Sequence, residues 1–270
     1  MTKITKFTVQ DVRFPTSKDL TGSDAIHTDP DYSATYVTAF TDDSELKGYG
    51  IAFTIGKGND IVAECIKHFF PIFENMDLDD LENNIGKLWF KCVDHSQLRW
   101  LGPEKGVVHM AVSAIFNCLW DLISKKHKKP LWQFIAESEP EKILSWLTFK
   151  YIEDVLTPEE ALAILTRNQK EKKQRIETIL QEGYPSYTTA AGWLGYSDDK
   201  IIQLCKDYMA KGWRHFKIKV GLDLEADVKR LELIRKTIGD ECFIMVDANQ
   251  QWNVEQSIKH INEYKKFKDA

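Results

Sequence analysis

A chain of 270 residues, 43% hydrophobic and 29% charged, is long enough to bury one large core or two smaller ones. Its net charge of −5 gives no global attraction to nucleic acid, and no run of about 18 apolar residues marks a membrane span, so neither partner is expected. Five cysteines (Cys65, Cys92, Cys118, Cys205 and Cys242) form no CxxC pair, and seven histidines show no HxH or HxxxH spacing. A reducing compartment follows, cytoplasmic with a mitochondrial one left open, and neither a disulfide framework nor a zinc site.

In chain order, "ITKFTVQDVRF" (4–14), "SATYVTAFT" (33–41) and "GYGIAFTIG" (48–56) are β-branched, aromatic and partly alternating, with "TDDSE" as turn chemistry between the last two. They predict a small antiparallel meander. Residues 61–73 are helix-like. A longer helix follows Gly106, where Val108, Val112, Ile115, Leu119 and Leu122 step by three and four; Pro130 is expected to stop it. Strands followed by helices predict an α+β domain over residues 1–135. Residues 136–183 read as a helical connection, and their basic run "KEKKQR" (170–175) as a solvated helix face.

From residue 184 the grammar changes. "YPSYTTAAGWLG" (184–195), "WRHFKIKV" (213–220) and "CFIMVDAN" (242–249) read as strands. Each precedes a helix pattern, capped in turn by Ser197, Asp223 and Asn253, the last with Gln256 three residues on as a capping box. Strand and helix three times over, at about 30-residue spacing, predict a parallel sheet. No G-x-G-x-x-G follows any of the strands, which disfavours a dinucleotide site. The expected fold is therefore an α+β capping domain followed by the start of an α/β (β/α)-barrel, incomplete within 184–270, since a whole barrel takes about 200 residues or more. The last strand is expected to present an open apolar edge, as in part of a longer protein.

Within "HFKIKVG" (215–221), Phe216, Ile218 and Val220 suit a helix-facing side, which leaves His215, Lys217 and Lys219 pointing to the barrel interior. Lys219 lies at the strand's C-terminal end, where barrel active sites sit. Alternate residues are about 7 Å apart, and two ammoniums at that distance repel by roughly 2 kcal/mol at an effective dielectric of 20. The pair is thus expected to depress one lysine's pKa and make it a usable proton acceptor. The bland alternative is a half-exposed strand with two solvated lysines. On the next strand, Asp247 ends an apolar run with Asn249 on the same face, suited to a hard cation or, more plainly, to an Asx-turn.

"KIKV" followed by "DAN" at this separation resembles the enolase superfamily, mandelate racemase group, and within it the L-fuconate dehydratases. The stretches "SDAIHTDPDYSATYV" (23–37), "QLRWLGPEKGVVHMA" (97–111), "NCLWDLISKKHKKPLWQFI" (117–135) and "YPSYTTAAGWLGYSDD" (184–199) carry the same resemblance along the chain. It implies a Mg²⁺-dependent dehydratase that removes the proton α to a carboxylate, passes through an enediolate and loses water from an acid sugar. Lys219 matches the acid/base lysine, Lys217 its companion at the substrate carboxylate, and Asp247 a Mg²⁺ ligand. Gly22, Ser23, Asp24 and Tyr32 match a loop that holds the sugar's distal hydroxyls. The residues alone would read Asp24 as a surface loop position. The family's remaining metal ligands and its second acid/base, a histidine, have no counterpart in these 270 residues. The expected partner is a small acid sugar, and a homo-oligomer is compatible with the sequence. Alternatives are a dehydratase or racemase of another acid sugar, or a non-catalytic product that acts by interaction with other subunits.

Overall fold

Alternating small and branched residues set the first sheet of the computed structural model, which describes residues 2–102 and 105–267. The chain forms two units: Met1–Arg13 with Ser33–Gly183, and Phe14–Tyr32 with Tyr184–Ala270. Loop 14–32 therefore belongs with the C-terminal segment, and the helical stretch 136–183 with the N-terminal one. A linear division at residues 135 and 183 does not anticipate this.

In the first unit, β1 (Ile4–Arg13), β2 (Ser33–Thr41) and β3 (Lys47–Thr54) form an antiparallel meander in the order β1-β2-β3, as expected. Two short helices follow, α1 (Asn59–Lys67) and α2 (Phe70–Phe73), then α3 (Leu78–Val93), which Asp77 caps at the Asp79 amide. The central element is α4 (Val107–Lys126). Its stripe of Val108, Val112, Ile115, Leu119 and Leu122 is buried almost completely. The glycines of β3 let it approach: a Cβ at Gly48 or Gly50 would run into the α4 carbonyls of Cys118 and Ala114. Helix α4 ends at Lys126, four residues before Pro130. A left-handed Lys128 (φ 54°) and the Lys129 amide returning to the Ser124 carbonyl (3.0 Å) stop it, and Pro130 instead opens α5 (Leu131–Glu137).

By length and mean hydropathy (1.5) α4 is apolar enough to cross a membrane, contrary to the reading of the apolar runs. Its apolar side chains are used here as the core of the sheet-and-helix layer. Helices α6 (Pro140–Leu144), α7 (Pro158–Arg167) and α8 (Lys172–Glu182) complete the unit. Helix α8 buries no residue, in keeping with a solvated basic run.

In the second unit, α9 (Asp198–Ala210), β4 (His215–Lys219), α10 (Leu224–Ile238), β5 (Phe243–Asp247) and α11 (Val254–Tyr264) alternate. Strands β4 and β5 are parallel, with Lys217 opposite Met245 and Lys219 opposite Asp247. All three expected caps form, and the Asn253–Gln256 box is reciprocal. Segment 184–195 is not a strand. Thr188 bridges to Phe216 in parallel fashion, but the chain then turns through Gly192, whose amide returns to Thr189 (2.9 Å). That turn breaks the ladder, leaving two strands where three were expected. Phe216, Ile218 and Val220 are fully buried in one cluster with Ile201, Leu231, Ile234 and Ile238.

Candidate active site

Burial of Phe216, Ile218 and Val220 against the helices forces Lys217 and Lys219 onto the other face of β4, at its C-terminal end. Lys219 is 7% exposed. Its ammonium donates to Asp247 Oδ2 at 2.9 Å and to Asn249 Oδ1 at 2.7 Å. The Lys217 ammonium lies 3.1 Å from the same Asp247 oxygen. One carboxylate thus sits between two lysines. Asp247 also accepts from the Asn249 amide (3.1 Å), so the Asx-turn and the charged cluster coexist. A left-handed Asn249 (φ 49°) brings its side chain back to Lys219.

The electrostatics follow. Burial would raise the Asp247 carboxyl, but the Lys219 hydrogen bond, the Asn249 amide and Lys217 outweigh it and hold it down at about 2. Burial likewise would lower Lys217, but Tyr187 and Asp247 overcome that and raise it. Lys217 is thus not a depressed member of the like-charged pair: the Tyr187 hydrogen bond and the Asp247 carboxylate raise it.

The loop residues gather at the other side of one tryptophan. Gly22 has φ +89°, and a Cβ there would collide with the Tyr32 ring. The Ser23 hydroxyl donates to the Leu194 carbonyl, and the Leu194 amide donates to the Ser23 carbonyl (3.1 Å). Thr21 and Tyr196 share a hydroxyl contact of 2.7 Å, and Gln251, just past β5, donates to the Ala25 carbonyl at 2.6 Å. Asp24 is buried, unlike the surface position its local sequence suggests. Its Oδ1 accepts from the amides of Ile26 (2.8 Å) and His27 (2.7 Å), and its Oδ2 faces the His27 ring at 3.2 Å. Those hydrogen bonds outweigh burial and lower the Asp24 carboxyl. Burial and the neighbouring Asp24 charge raise the Tyr32 phenol. Tyr32 meets Trp193 edge-to-face at 6.4 Å, and the Trp193 ring lies 5.8 Å from the Lys219 ammonium.

Trp193 therefore joins the loop residues to the lysines. Neither it nor Tyr187, 4.8 Å from the Lys217 ammonium by its ring, stands out as a site residue in the sequence. Their only signal is position: both lie in the apolar run 184–195, beside the strand that bears the lysines. Among the described residues no group of three His, Cys, Asp or Glu side chains could hold a metal ion.

The family described as enolase C-terminal domain-like matches residues 200–268. L-Galactonate dehydratase of Hypocrea jecorina is 46% identical over 268 residues, covering 98% of this chain and 59% of that protein. The crystal structure of human mitochondrial enolase superfamily member 1 superimposes with a TM-score of 0.92 at 45% identity, covering 98% of this chain and 60% of that one. A racemase from Streptomyces coelicolor A3(2), crystallised with bound magnesium, shares the fold at a TM-score of 0.68 and 22% identity, again over 98% of this chain and 60% of that one. The chain thus spans about 60% of the length of these relatives, and its fold is their capping α+β domain followed by the first part of the barrel. On this likeness, together with the lysines and aspartate at the ends of adjacent parallel strands, the chain is similar over 98% of its length to enolase superfamily proteins, and its residues 200–268 match the enolase C-terminal domain-like family.

Proposed function

We propose that the chain carries the base-bearing part of a Mg²⁺-dependent acid-sugar dehydratase. The observation that carries this reading is the enclosed Lys219 ammonium at the C-terminal end of β4, set against Asp247 and Asn249 with Lys217 alongside. The Hypocrea relative, named for dehydration of L-galactonate, supports it.

In this reading Lys219 takes the proton from C2 of the acid, and Lys217 binds its carboxylate. The C3 hydroxyl leaves as water, and the resulting enol becomes a 2-keto-3-deoxy acid. Gly22, Ser23, Asp24 and Tyr32 face the distal hydroxyls. Asp247 suits one position in the oxygen shell of Mg²⁺, the ion in the Streptomyces neighbour, but that ion takes about six ligands and the described residues supply no cluster for the rest. When bound, such an ion supplies positive charge beside the substrate carboxylate. L-Fuconate is the proposed substrate. L-Galactonate has the same configuration from C2 to C5 and differs in carrying a hydroxyl at C6. Five buried free thiols fit a reducing compartment, cytoplasmic or mitochondrial.

The test is proton NMR in D₂O with Mg²⁺ and either acid. The samples are the 270-residue chain and the same chain joined to the part of the Hypocrea relative that the match leaves uncovered. Loss of the C2 proton signal and growth of a 2-keto-3-deoxy acid are expected of the joined protein. Retention of the C2 proton with both acids would overturn the proposal.

A further inference from the structure

Segment 184–195 gives each lysine its own aromatic neighbour. Tyr187 lies against Lys217, its ring centre 4.8 Å from the ammonium, and Trp193 lies against Lys219 at 5.8 Å. The surroundings differ. The Lys219 side chain is 9% exposed and fully engaged with Asp247 and Asn249, whereas the Lys217 side chain is 21% exposed and Tyr187 44%.

Tyr187 is held there by the backbone. The Thr188 amide donates to the His215 carbonyl (2.9 Å), and the Lys217 amide donates to the Thr188 carbonyl (2.8 Å). Thr188 is itself buried, opposite Phe216. In extended backbone successive side chains alternate, so the residue before Thr188 stands on the face that bears Lys217. A phenol and an ammonium then lie side by side, both donors, both reachable from solvent.

We propose that Tyr187 is a substrate-binding residue: its hydroxyl and the Lys217 ammonium form a two-donor clamp for the carboxylate of the acid. This rests on the dehydratase reading and deepens it. A carboxylate presents two oxygens and accepts from two donors at once, and hydrogen bonds to a charged group are about twice as strong as neutral ones. The Lys217 ammonium also lies over the Tyr187 ring, and a purely cation–π role would need only the ring.

The substitution Tyr187→Phe separates the two, since it keeps the ring and removes the hydroxyl. Calorimetry on the 270-residue chain with Mg²⁺ present would compare L-galactonate with its neutral amide, L-galactonamide. The expected result is a roughly tenfold weaker affinity of Tyr187→Phe for the acid, an unchanged affinity for the amide, and an unchanged melting temperature. Tyr187→Leu should lose the acid to at least the same extent. Equal affinities of wild type and Tyr187→Phe for the acid, or equal losses for acid and amide, would overturn the clamp while leaving the dehydratase reading standing. Failure of the wild-type chain to bind either compound would overturn the clamp on this chain. The NMR experiment on the joined protein then decides the dehydratase reading by itself.

Discussion

The two sheets treat their edges in opposite ways. In the first unit the outer strand β3 is closed by side chains of α4. Asp121 accepts from the Tyr49 amide (2.8 Å), Asn117 donates to the Ile51 carbonyl (3.3 Å), and Lys125 donates to the Lys47 carbonyl (3.0 Å). At the other edge, β1 is covered near its start, where Ile4 exchanges backbone hydrogen bonds with Met76 (3.0 Å) and Asn75 (2.8 Å). In the second unit β5 pairs with β4 alone among the described residues, and Phe243, Met245 and Val246 are each about 40% exposed or more. Beside β5 runs a groove of about 250 Å³ lined by Leu231, Ile244, Val246, Ile261, Tyr264 and Phe267. Closed edges let a sheet stand on its own, whereas an open apolar edge is a template for another strand. The first unit is thus closed at its sheet edges, and the second keeps both its lysine–aspartate cluster and its unpaired backbone at the barrel strands.

The largest effect expected from this contrast is chemical. In the joined protein, Lys219→Ala should slow C2 proton exchange by about 10² to 10⁴, the range for a lost proton-transfer group, with the acid still bound. An exchange rate near that of wild type would place the base elsewhere. The matching change in the first unit is structural. Leu119→Ala removes a fully buried side chain of α4 and should cost about 3 kcal/mol, whereas Met245→Ala on β5 should cost under about 1 kcal/mol. Urea titrations followed by circular dichroism compare the two; equal losses would abolish the distinction between a sealed and an open layer.

Glu82 sharpens the same point through pH. It is 7% exposed and accepts from Lys142 (2.5 Å), His127 (2.7 Å) and Lys126 (3.2 Å). Burial would raise its carboxyl, but these partners lower it from an ordinary 4.5 to about 2. A depressed folded-state value means that the stabilisation is present above about pH 4.5 and is lost as pH falls towards 2. At most it is worth about 3 kcal/mol. Glu82→Gln should therefore flatten the acid limb of the stability profile of the first unit between those values, and an unchanged limb would remove Glu82 from the account. Smaller still is the edge itself. Asp121→Ala should cost about 1 kcal/mol by freeing the Tyr49 amide. Val246→Lys should leave stability almost unchanged but suppress concentration-dependent association in sedimentation velocity. If Asp121→Ala fails to raise association, the closure of β3 is not what keeps that edge unpaired.

Much of this was legible without coordinates, for local reasons. The meander, the α4 stripe and the three helix caps each depend on residues a few positions apart, so periodicity and capping chemistry suffice to find them. The sidedness of β4 was equally legible, since Phe216, Ile218 and Val220 have only one apolar place to go and Lys217 and Lys219 must take the other. Pro130 misled because a left-handed Lys128 had already ended the helix. Segment 184–195 misled because β-branched and aromatic content does not reveal a turn at Gly192.

The sequence by itself determined which residue types alternate and therefore which face of each strand is polar. Only the tertiary structure decided what those polar groups meet. Tyr187 and the Asp247 carboxylate, which lies between two ammoniums, raise Lys217, because a charge responds to its nearest partners in space rather than along the chain. In the same way loop 14–32, more than 160 residues before Trp193 in sequence, joined the segments that flank the barrel strands through hydrogen bonds whose partners no local pattern could name.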